Sequence, residues 1–406
     1  MSKAIGPKLG VLVSGGAPTL HLAAGALCAF HERGVNLRVL AASGAGALPA
    51  LLYIAPKQGD PEAALKSVVD MNIHDAIYDL VPSNYKVFFK YGPFAALFWQ
   101  LGRMIPHFPL DPEKRSTNAG KRLYNDLVDF VATAITPTTL NYWSTSVLNR
   151  VQVVNDLVDW NALPNAPQDF FLNTFSLKTQ KLENFTKQTM TPNAFYAALA
   201  MPWLYPPTAA TVGGPLFTEG ASHDPVAIEA ALQNEPPPRV ATLDAMIVLD
   251  TIGSDLWVDP ESLYEALELT IIDPIVSLAE NIAALYALQE KVFNADPPPI
   301  ADLSPPKVYR LLFDIPPWKR GQILEWSYSN AVTLWDTGHR AASKFCDDGG
   351  VGEKGDPIDL DALEAKGLRY LDTLTEDTRE GDFLSLFGNP WGGEVHVPAP
   401  GGGGRL

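Results

Sequence analysis

The residues from Leu9 to Tyr53, LGVLVSGGAPTLHLAAGALCAFHERGVNLRVLAASGAGALPALLY, decide the fold of this chain. Leu9–Ser14 is an apolar run that predicts a buried strand, and after a glycine turn the residues from Leu20 to His31 have helical spacing. The pattern then repeats, because Leu37–Leu40 predicts a second strand and a small-residue turn leads into a second apolar helix. Such strand–turn–helix units predict parallel strands with helices on both faces, and the ligands of such sheets bind beyond the carboxyl ends of the strands.

The chain that follows is predicted to complete this α/β unit. We expect an α/β domain over residues 1–296, with a helical insertion over about 60–148 that includes an amphipathic helix at Lys121–Ile135. Further strands are predicted at Phe170–Leu177 and Leu243–Asp250, where apolar and aromatic residues form short runs.

The C-terminal third is predicted to be helical. A long helical stretch covers Ser262–Phe293, and the three prolines at 297–299 mark the expected domain boundary. We expect a helical C-terminal extension over 297–397, including an acidic amphipathic helix at Asp359–Leu374, and a flexible glycine-rich tail over 398–406.

The composition excludes several classes of protein. The chain has 406 residues, of which 47% are hydrophobic and 19% charged, as is typical of a globular protein and not of a disordered one. Its 46 Asp+Glu against 30 Lys+Arg give a net charge of −16. We therefore expect no nucleic-acid partner, since the sequence has no basic patch, and anionic membranes are disfavoured as well.

The cysteines and the N-terminal region bear on the cellular compartment. Cys28 and Cys346 are too few for a disulfide framework and suit a reducing compartment. No secretory signal is evident, so we expect a cytoplasmic protein. The apolar stretch Pro93–Trp99 is too short to span a bilayer and permits at most peripheral membrane contact. No histidine spacing matches a metal site, so no metal and no cofactor are predicted.

Three motifs lie where the predicted fold has its ligand-binding edge. The first turn reads Gly15-Gly16-Ala17-Pro18-Thr19-Leu20, and the second runs from Ala41 to Ala47. The third region contains Ala198-Leu199-Ala200-Met201-Pro202-Trp203-Leu204-Tyr205-Pro206-Pro207, Phe217-Thr218-Glu219-Gly220-Ala221 and Asp224-Pro225-Val226. These motifs resemble the landmarks of the patatin-like phospholipase family, which are a Gly-Gly-Gly-x-Arg-Gly oxyanion loop, a Gly-x-Ser-x-Gly nucleophile elbow, and an Ala-x-Ala-x-Pro-x-x-Phe-Pro-Pro segment before Asp-Gly-Gly. The resemblance spans most of residues 9–232.

The resemblance implies a fold and a chemistry. The fold would be a three-layer α/β/α patatin-like fold with a mainly parallel central sheet, a helical insertion and a helical C-terminal extension. The chemistry would be lipid acyl hydrolysis by a Ser-Asp dyad, with Gly15, Gly16, Ala17 and Gly44 as backbone groups of the oxyanion site. Thr19 stands where the family has arginine, which weakens any preference for an anionic phospholipid head group and favours a neutral lipophilic ligand.

The elbow departs from the family at its centre. An ungapped alignment through Gly46 puts Gly44 in the position of the nucleophilic serine, where glycine relieves the backbone strain but supplies no hydroxyl. A shift of one residue makes Ser43 the nucleophile, between the small residues Ala41 and Ala45. The alternative interpretation is that Ser43 caps the helix that follows.

The acid–base candidates lie around the third motif. Glu219 replaces the family aspartate as the candidate base, since a carboxylate can still accept a serine proton, or it is simply a solvated turn residue. Asp224 is a second candidate base. His21 and His223 lie beside the first and third motifs and are possible acid–base groups, and a Ser43–His223–Glu219 triad is a further alternative.

The large apolar side chains of the insertion have two possible roles. They form a pocket or lid for an acyl chain, or they pack in the core, which is the commoner fate of such residues. The set comprises Tyr85, Phe88, Phe89, Phe94, Phe98, Trp99, Met104 and Phe108.

Three functions remain open from the sequence. The first is a divergent patatin-like lipid acyl hydrolase, a carboxylic ester hydrolase with Ser43 as nucleophile and Glu219 as base. The second is a catalytically inactive lipid-binding or regulatory protein on the same fold. The third is a lyase or isomerase that uses Glu219 or Asp224 for proton transfer on a lipophilic small molecule. All three expect a lipid or another lipophilic molecule as partner, and the sequence leaves the oligomeric state open.

Overall fold

A central sheet of eight strands organises the computed structural model of this chain. The structure describes residues 6–95, 97, 118–149, 154–232, 243–251, 253, 260, 263–293, 305–316 and 322–373. The strands are β1 Leu9–Val13, β2 Leu37–Ala42, β3 Asp169–Ser176, β4 Lys181–Thr186, β5 Thr208–Ala209, β6 Leu216–Glu219, β7 Ala245–Leu249 and β8 Lys307–Leu311. Their order in the sheet is β5-β6-β3-β2-β1-β7-β8, and β4 pairs with β3.

The core of the sheet is parallel, as predicted. Strands β3, β2, β1, β7 and β8 pair in parallel, whereas β4 and β6 are antiparallel to β3, and β5 is antiparallel to β6. All residues of β1 and β7 are buried, which explains their continuous apolar sequences, because helices cover both faces of a parallel sheet. The strands predicted at Phe170–Leu177 and Leu243–Asp250 are confirmed within one or two residues as β3 and β7.

Helices form a layer on each side of the sheet. They are α1 Leu20–Glu32, α2 Ala47–Ile54, α3 Pro61–Ser67, α4 Asp75–Tyr78, α5 Ala119–Ile135, α6 Val154–Leu157, α7 Pro192–Ala198, α8 Ile228–Leu232, α9 Leu263–Phe293, α10 Tyr328–Asp348 and α11 Leu360–Ala365. Val11 and Val13 of β1 join a core with α1, α2 and α10, while Leu12 joins a second core with α8 and α9. The alternating directions of these strand residues therefore create the predicted three layers.

The C-terminal region differs from the helical extension that the sequence predicts. Lys307–Leu311 is a strand, β8, which extends the sheet beside β7, and its Val-Tyr pair suits a buried strand. Only the first part of the helix predicted at Asp359–Leu374 is formed, as α11. Gly367 adopts a φ of +68°, which ends the helix, and a short 3-10 turn follows at Tyr370–Thr373. The proline run at 297–299 and the tail at 398–406 lie outside the described residues.

Helix α10 packs directly on α1. Phe30 and Phe345 meet edge to face with ring centroids 6.3 Å apart, and His339 Nε2 lies 2.7 Å from Glu32 Oε2. The C-terminal region thus supports the helix that follows the first glycine turn. Among the described residues, no helix combines the length and the apolar character needed to cross a bilayer.

The insertion is helical in parts. Helices α3, α4 and α5 fall within it, and α5 confirms the helix predicted at Lys121–Ile135. The polar side of α5 is anchored, because Asp126 accepts from Lys86 Nζ at 2.6 Å and both side chains are buried. The predicted pocket residues Phe98, Trp99, Met104 and Phe108 lie outside the described residues.

Candidate functional site

The two glycine turns meet at the carboxyl edge of the parallel strands. The N–H of Ser43 donates to the carbonyl of Val13 at 3.1 Å, which links the end of β2 to the end of β1. A Cβ atom at Gly46 would lie 2.6 Å from the same carbonyl, so the close approach of the turns requires glycine there. The fold therefore brings the first two motifs side by side, as the sequence predicts.

Gly44 has the backbone of a nucleophile elbow. Its φ of +47° lies in the left-handed region that residues with a side chain rarely adopt. A Cβ atom at this position would overlap Oε1 of Glu219 and would lie 3.3 Å from Glu219 Cδ and from Ala221 Cβ. The carboxyl group of Glu219 therefore occupies the volume in which a serine side chain at position 44 would stand.

Glu219 is fixed by its backbone at the end of β6. It pairs with Thr174 of β3, and its N–H donates to the carbonyl of Ala200 at 3.1 Å. Burial raises the pKa of its carboxyl from 4.5 to about 7, because an apolar environment disfavours the charged form. Glu219 is thus partly protonated near neutral pH.

Glu219 lies in the wall of a cavity of about 490 Å³. This volume is within the range of small-molecule sites, and the walls are chiefly apolar. The lining residues come from both glycine turns, α2, the insertion, the stretch from Phe195 to Tyr205, the end of β6, α9 and the loop before α10. They include Leu48, Val87, Phe88, Leu148, Leu199, Met201, Leu204, Ile272, Ile275, Leu324 and Trp326. The site can accommodate a lipophilic molecule.

The first turn also lines the cavity. Gly16, Ala17, Pro18 and Thr19 are in its wall, and no hydrogen bond within the described residues uses the N–H of Gly16 or Ala17. These two groups are therefore available to an acceptor atom in the cavity, as an oxyanion site needs. The predicted donor Gly15 differs, because its N–H donates to the carbonyl of Pro225 at 3.1 Å.

Ser43 lies behind the turn. Its side chain is fully buried, and its hydroxyl is 2.8 Å from Asn173 Oδ1 and 2.9 Å from the carbonyl of Asp224. The hydroxyl does not line the cavity, and no side-chain cap bond to the following helix is formed. The structure thus brings Gly44 and Glu219 together but leaves Ser43 as a link between β2, β3 and the turn after β6.

His21 holds the first turn in place. It is buried, with Nδ1 2.5 Å from the carbonyl of Pro18 and Nε2 2.7 Å from Asn72 Nδ2. In this arrangement Nδ1–H donates to Pro18 and Nε2 accepts from Asn72, so both ring nitrogens are used. Burial lowers the pKa of His21, which keeps the ring neutral.

The two candidates that follow Glu219 are turned away from the cavity. Asp224 is buried, its Oδ1 accepts from the N–H of Ala227 at 2.9 Å, and burial raises the pKa of its carboxyl to about 6. His223 is exposed and stacks on Phe175 with ring centroids 3.9 Å apart. Neither residue lines the cavity, so the Ser43–His223–Glu219 triad is not assembled.

One cluster of metal-ligand types lies apart from the cavity. Ligand atoms of Cys28, Glu32 and His339 are within 4.8 Å of one another at the contact of α1 and α10. The hydrogen bond between His339 and Glu32 already uses two of them, and burial raises the pKa of the Cys28 thiol to about 12, which disfavours the thiolate that binds metals. The cluster is accounted for as a helix–helix contact.

Some side chains of the site were not predicted from the sequence to be catalytic or oxyanion-binding. The hydroxyl of Thr19 is buried with no hydrogen-bond partner among the described residues, and Tyr205 lies near enough to Glu219 to be affected by its charge. Both residues fall within motifs that the sequence analysis identified, so the motifs predict where these residues lie but not what their side chains do. Trp203 also lines the cavity and is largely exposed, with the unusual φ of +75°.

Comparisons with known proteins place this site in context. The family model of patatin-like phospholipases matches residues 11–232, which include the turns, Glu219 and most of the cavity wall. Among solved structures, the crystal structure of VipD from Legionella pneumophila matches with 13% sequence identity and a TM-score of 0.33, over 83% of this chain and 68% of that chain. No curated protein matches at a significant level.

Proposed function

This chain belongs to the patatin-like phospholipase family of lipid acyl hydrolases, and we propose that it binds a lipophilic molecule without forming an acyl-enzyme. One observation carries the proposal. Position 44, where the family has its nucleophile, is a glycine, and the carboxyl of Glu219 fills the volume of the missing side chain. The cavity has an apolar wall suited to a lipid, while position 44 brings no hydroxyl group into it.

The position of Ser43 supports the same proposal. A nucleophile needs its oxygen in the cavity, within reach of both the substrate carbonyl and a base. The Ser43 hydroxyl is instead enclosed between Asn173 and the carbonyl of Asp224, and its exposed fraction is 0%. Reaching the cavity would require breaking these contacts and moving the turn.

Peripheral membrane contact is part of the proposal. Tyr142 and Trp143 are 91% and 84% exposed, and the N–H of nearby Val147 donates to the carbonyl of Trp203 in the cavity wall. Exposed aromatic side chains of this kind suit the interface of a bilayer, where a lipophilic ligand would enter. Because the chain carries a charge of −16, zwitterionic vesicles are the surface to test.

The proposal is tested with a fluorophosphonate probe, which labels activated serines, and with p-nitrophenyl esters of short and medium chain length. We expect no labelling and no turnover from the wild type, Ser43→Ala or Glu219→Gln, whereas lipid extraction of the purified wild type followed by mass spectrometry recovers a lipophilic molecule. Labelling that is present in the wild type and lost in Ser43→Ala would contradict the proposal.

A second candidate function rests on the pKa of Glu219. A carboxyl with a pKa of about 7 beside free N–H groups can act as a general base in ester hydrolysis. It would take a proton from water as the water oxygen attacks the ester carbonyl, Gly16 and Ala17 would bind the oxyanion, and the departing alkoxide would regain the proton. Ester turnover that survives Ser43→Ala, gives no probe labelling and is lost in Glu219→Gln would favour this function.

Proton transfer in a lyase or isomerase reaction depends on the same carboxyl. Of the two acids that the sequence offered for it, Glu219 lies in the cavity wall and Asp224 does not. Conversion of a lipophilic substrate without hydrolysis would identify this chemistry.

A further inference from the structure

The carboxyl group of Glu219 has no protein partner in the described part of the chain. No hydrogen bond or ion pair to it is formed, and the described cavity wall contains no Lys, Arg or His side chain. Glu219 is half-buried, and a carboxyl held partly out of water without a protein partner loses free energy that a ligand pairing with it would recover. The cavity therefore favours a ligand whose polar end can hydrogen-bond to a carboxyl.

The first turn presents donors to the same cavity. The N–H groups of Gly16 and Ala17 have no acceptor within the described residues, and the buried hydroxyl of Thr19 has no partner there. Thr19 is 1% exposed and lines the cavity. The polar end of the ligand should therefore carry an acceptor oxygen for the turn and a second oxygen for Glu219.

Other head groups fit these partners less well. An ester offers only acceptors, so it can pair with Glu219 only while that carboxyl is protonated and cannot itself hold a shared proton, and a phosphate can bring two negative charges to a wall without a described cation. An amine would pair with an ionised Glu219 but would leave the donors of the turn without an acceptor. A carboxyl group has two oxygens and can share a proton with another carboxyl.

We propose that the ligand of this cavity is a free long-chain carboxylic acid, whose carboxyl group shares one proton with Glu219 and accepts hydrogen bonds from the first turn. The inference rests on the proposed function, since it names the class of lipophilic molecule that is bound. Two carboxyls that share one proton are a known arrangement, because one of them stays neutral and donates to the other. The apolar wall, with Leu48, Phe88 and Leu199 among its residues, takes the hydrocarbon chain.

The shared proton makes binding depend on pH. At high pH both carboxyls are ionised and repel each other, whereas below the pKa of Glu219, about 7, the protein supplies the proton. The groups around Glu219 do not offset this repulsion. Tyr205 stays neutral because burial raises the pKa of its hydroxyl above the ordinary value for tyrosine. Asp224 and His223 do not line the cavity, and the residue of β3 that pairs with Glu219 is the uncharged Thr174.

The experiment measures dodecanoate binding by isothermal titration calorimetry, below its micelle concentration, from about pH 6 to about pH 8.5. For the wild type we expect the affinity to fall about 30-fold over this range, as one proton is lost from a group with a pKa of about 7. Glu219→Gln should bind with less than about a threefold change, because its amide N–H₂ donates to a carboxylate at every pH.

Two further variants complete the design. Glu353→Gln removes an exposed carboxylate outside the cavity and should keep the wild-type pH dependence of binding. Any pH effect on dodecanoate itself is the same for this control and for the wild type. Thr19→Val keeps the shape of the side chain and removes one donor, and should weaken binding by about fivefold to tenfold at each pH, as expected for a lost hydrogen bond of about 1 kcal/mol.

Methyl dodecanoate and dodecanamide, titrated in the same way, separate this inference from the proposed function. Binding of the methyl ester without binding of dodecanoate at pH 6 would overturn the carboxylic acid and leave the lipophile site in place. Tighter binding of dodecanamide than of dodecanoate at pH 6 would likewise overturn it. Failure of all three ligands would contradict the proposed function itself. Equal pH dependence in the wild type and Glu219→Gln would show that Glu219 does not supply the proton.

Discussion

Replacing Glu219 by glutamine should stabilise the folded protein, and by more at high pH than at low pH. Burial raises the pKa of this carboxyl from 4.5 to about 7, so the folded state holds the proton more tightly than the unfolded state does. A group of this kind contributes most to stability below pH 4.5, and that contribution is lost as the pH rises through about 7. Glutamine has nearly the same shape and does not ionise.

The magnitude follows from the two pKa values. A difference of about 2.5 pH units corresponds to about 3 kcal/mol, since each unit is 1.36 kcal/mol. If glutamine behaves like the neutral acid, Glu219→Gln should exceed the wild type in free energy of unfolding by about 1 kcal/mol at pH 5 and about 3 kcal/mol at pH 8. In a chain of this length about 1 kcal/mol changes the melting temperature by about 1 °C.

Differential scanning calorimetry of both proteins from pH 5 to pH 8 measures this difference. Asp129 and Asp224, whose pKa values are also raised by burial, change the stability of both proteins equally and cancel in the comparison. Glu353→Gln serves as the control, because its exposed side chain is hydrated in both states. A melting-temperature difference that is the same at every pH, or a Glu219→Gln protein that is less stable at pH 8, would refute this account of the buried carboxyl.

The remaining predictions concern the elbow and one buried ion pair. Gly44→Ser alone should give no fluorophosphonate labelling, because the new side chain overlaps the carboxyl of Glu219. Adding Glu219→Asp shortens that side chain and should allow labelling, and labelling of the single variant would contradict this. Lys86→Met should cost about 3–5 kcal/mol in urea unfolding, since it leaves the buried Asp126 without its cation and with only the N–H of His74 as a partner among the described residues. Lys344→Met at an exposed pair should cost less than about 1 kcal/mol, and equal losses would refute the distinction.

The sequence predicted much of the framework because its signals are local. The apolar runs that became β1, β2 and β7 and the helical spacing of α1 and α9 depend on nearest neighbours along the chain. The region after residue 300 was predicted less well. Lys307–Leu311 becomes a strand because the free edge of β7 accepts it, and such pairing is a long-range contact that no local pattern encodes.

The motifs alone predicted that Gly44, Glu219 and the first turn lie together at one edge of the sheet, since they are recognisable by type and order. The sequence left open which of Ser43 and Gly44 stands at the nucleophile position, because the two are neighbours in the chain and either could have faced the cavity. In the tertiary structure Gly44 has a φ of +47° and lies against the carboxyl of Glu219, which lines the cavity, whereas the Ser43 hydroxyl is enclosed by Asn173 behind the turn. The same packing removes water from Glu219 and raises its pKa, because solvation depends on everything that surrounds a group and not on the residues beside it in the chain.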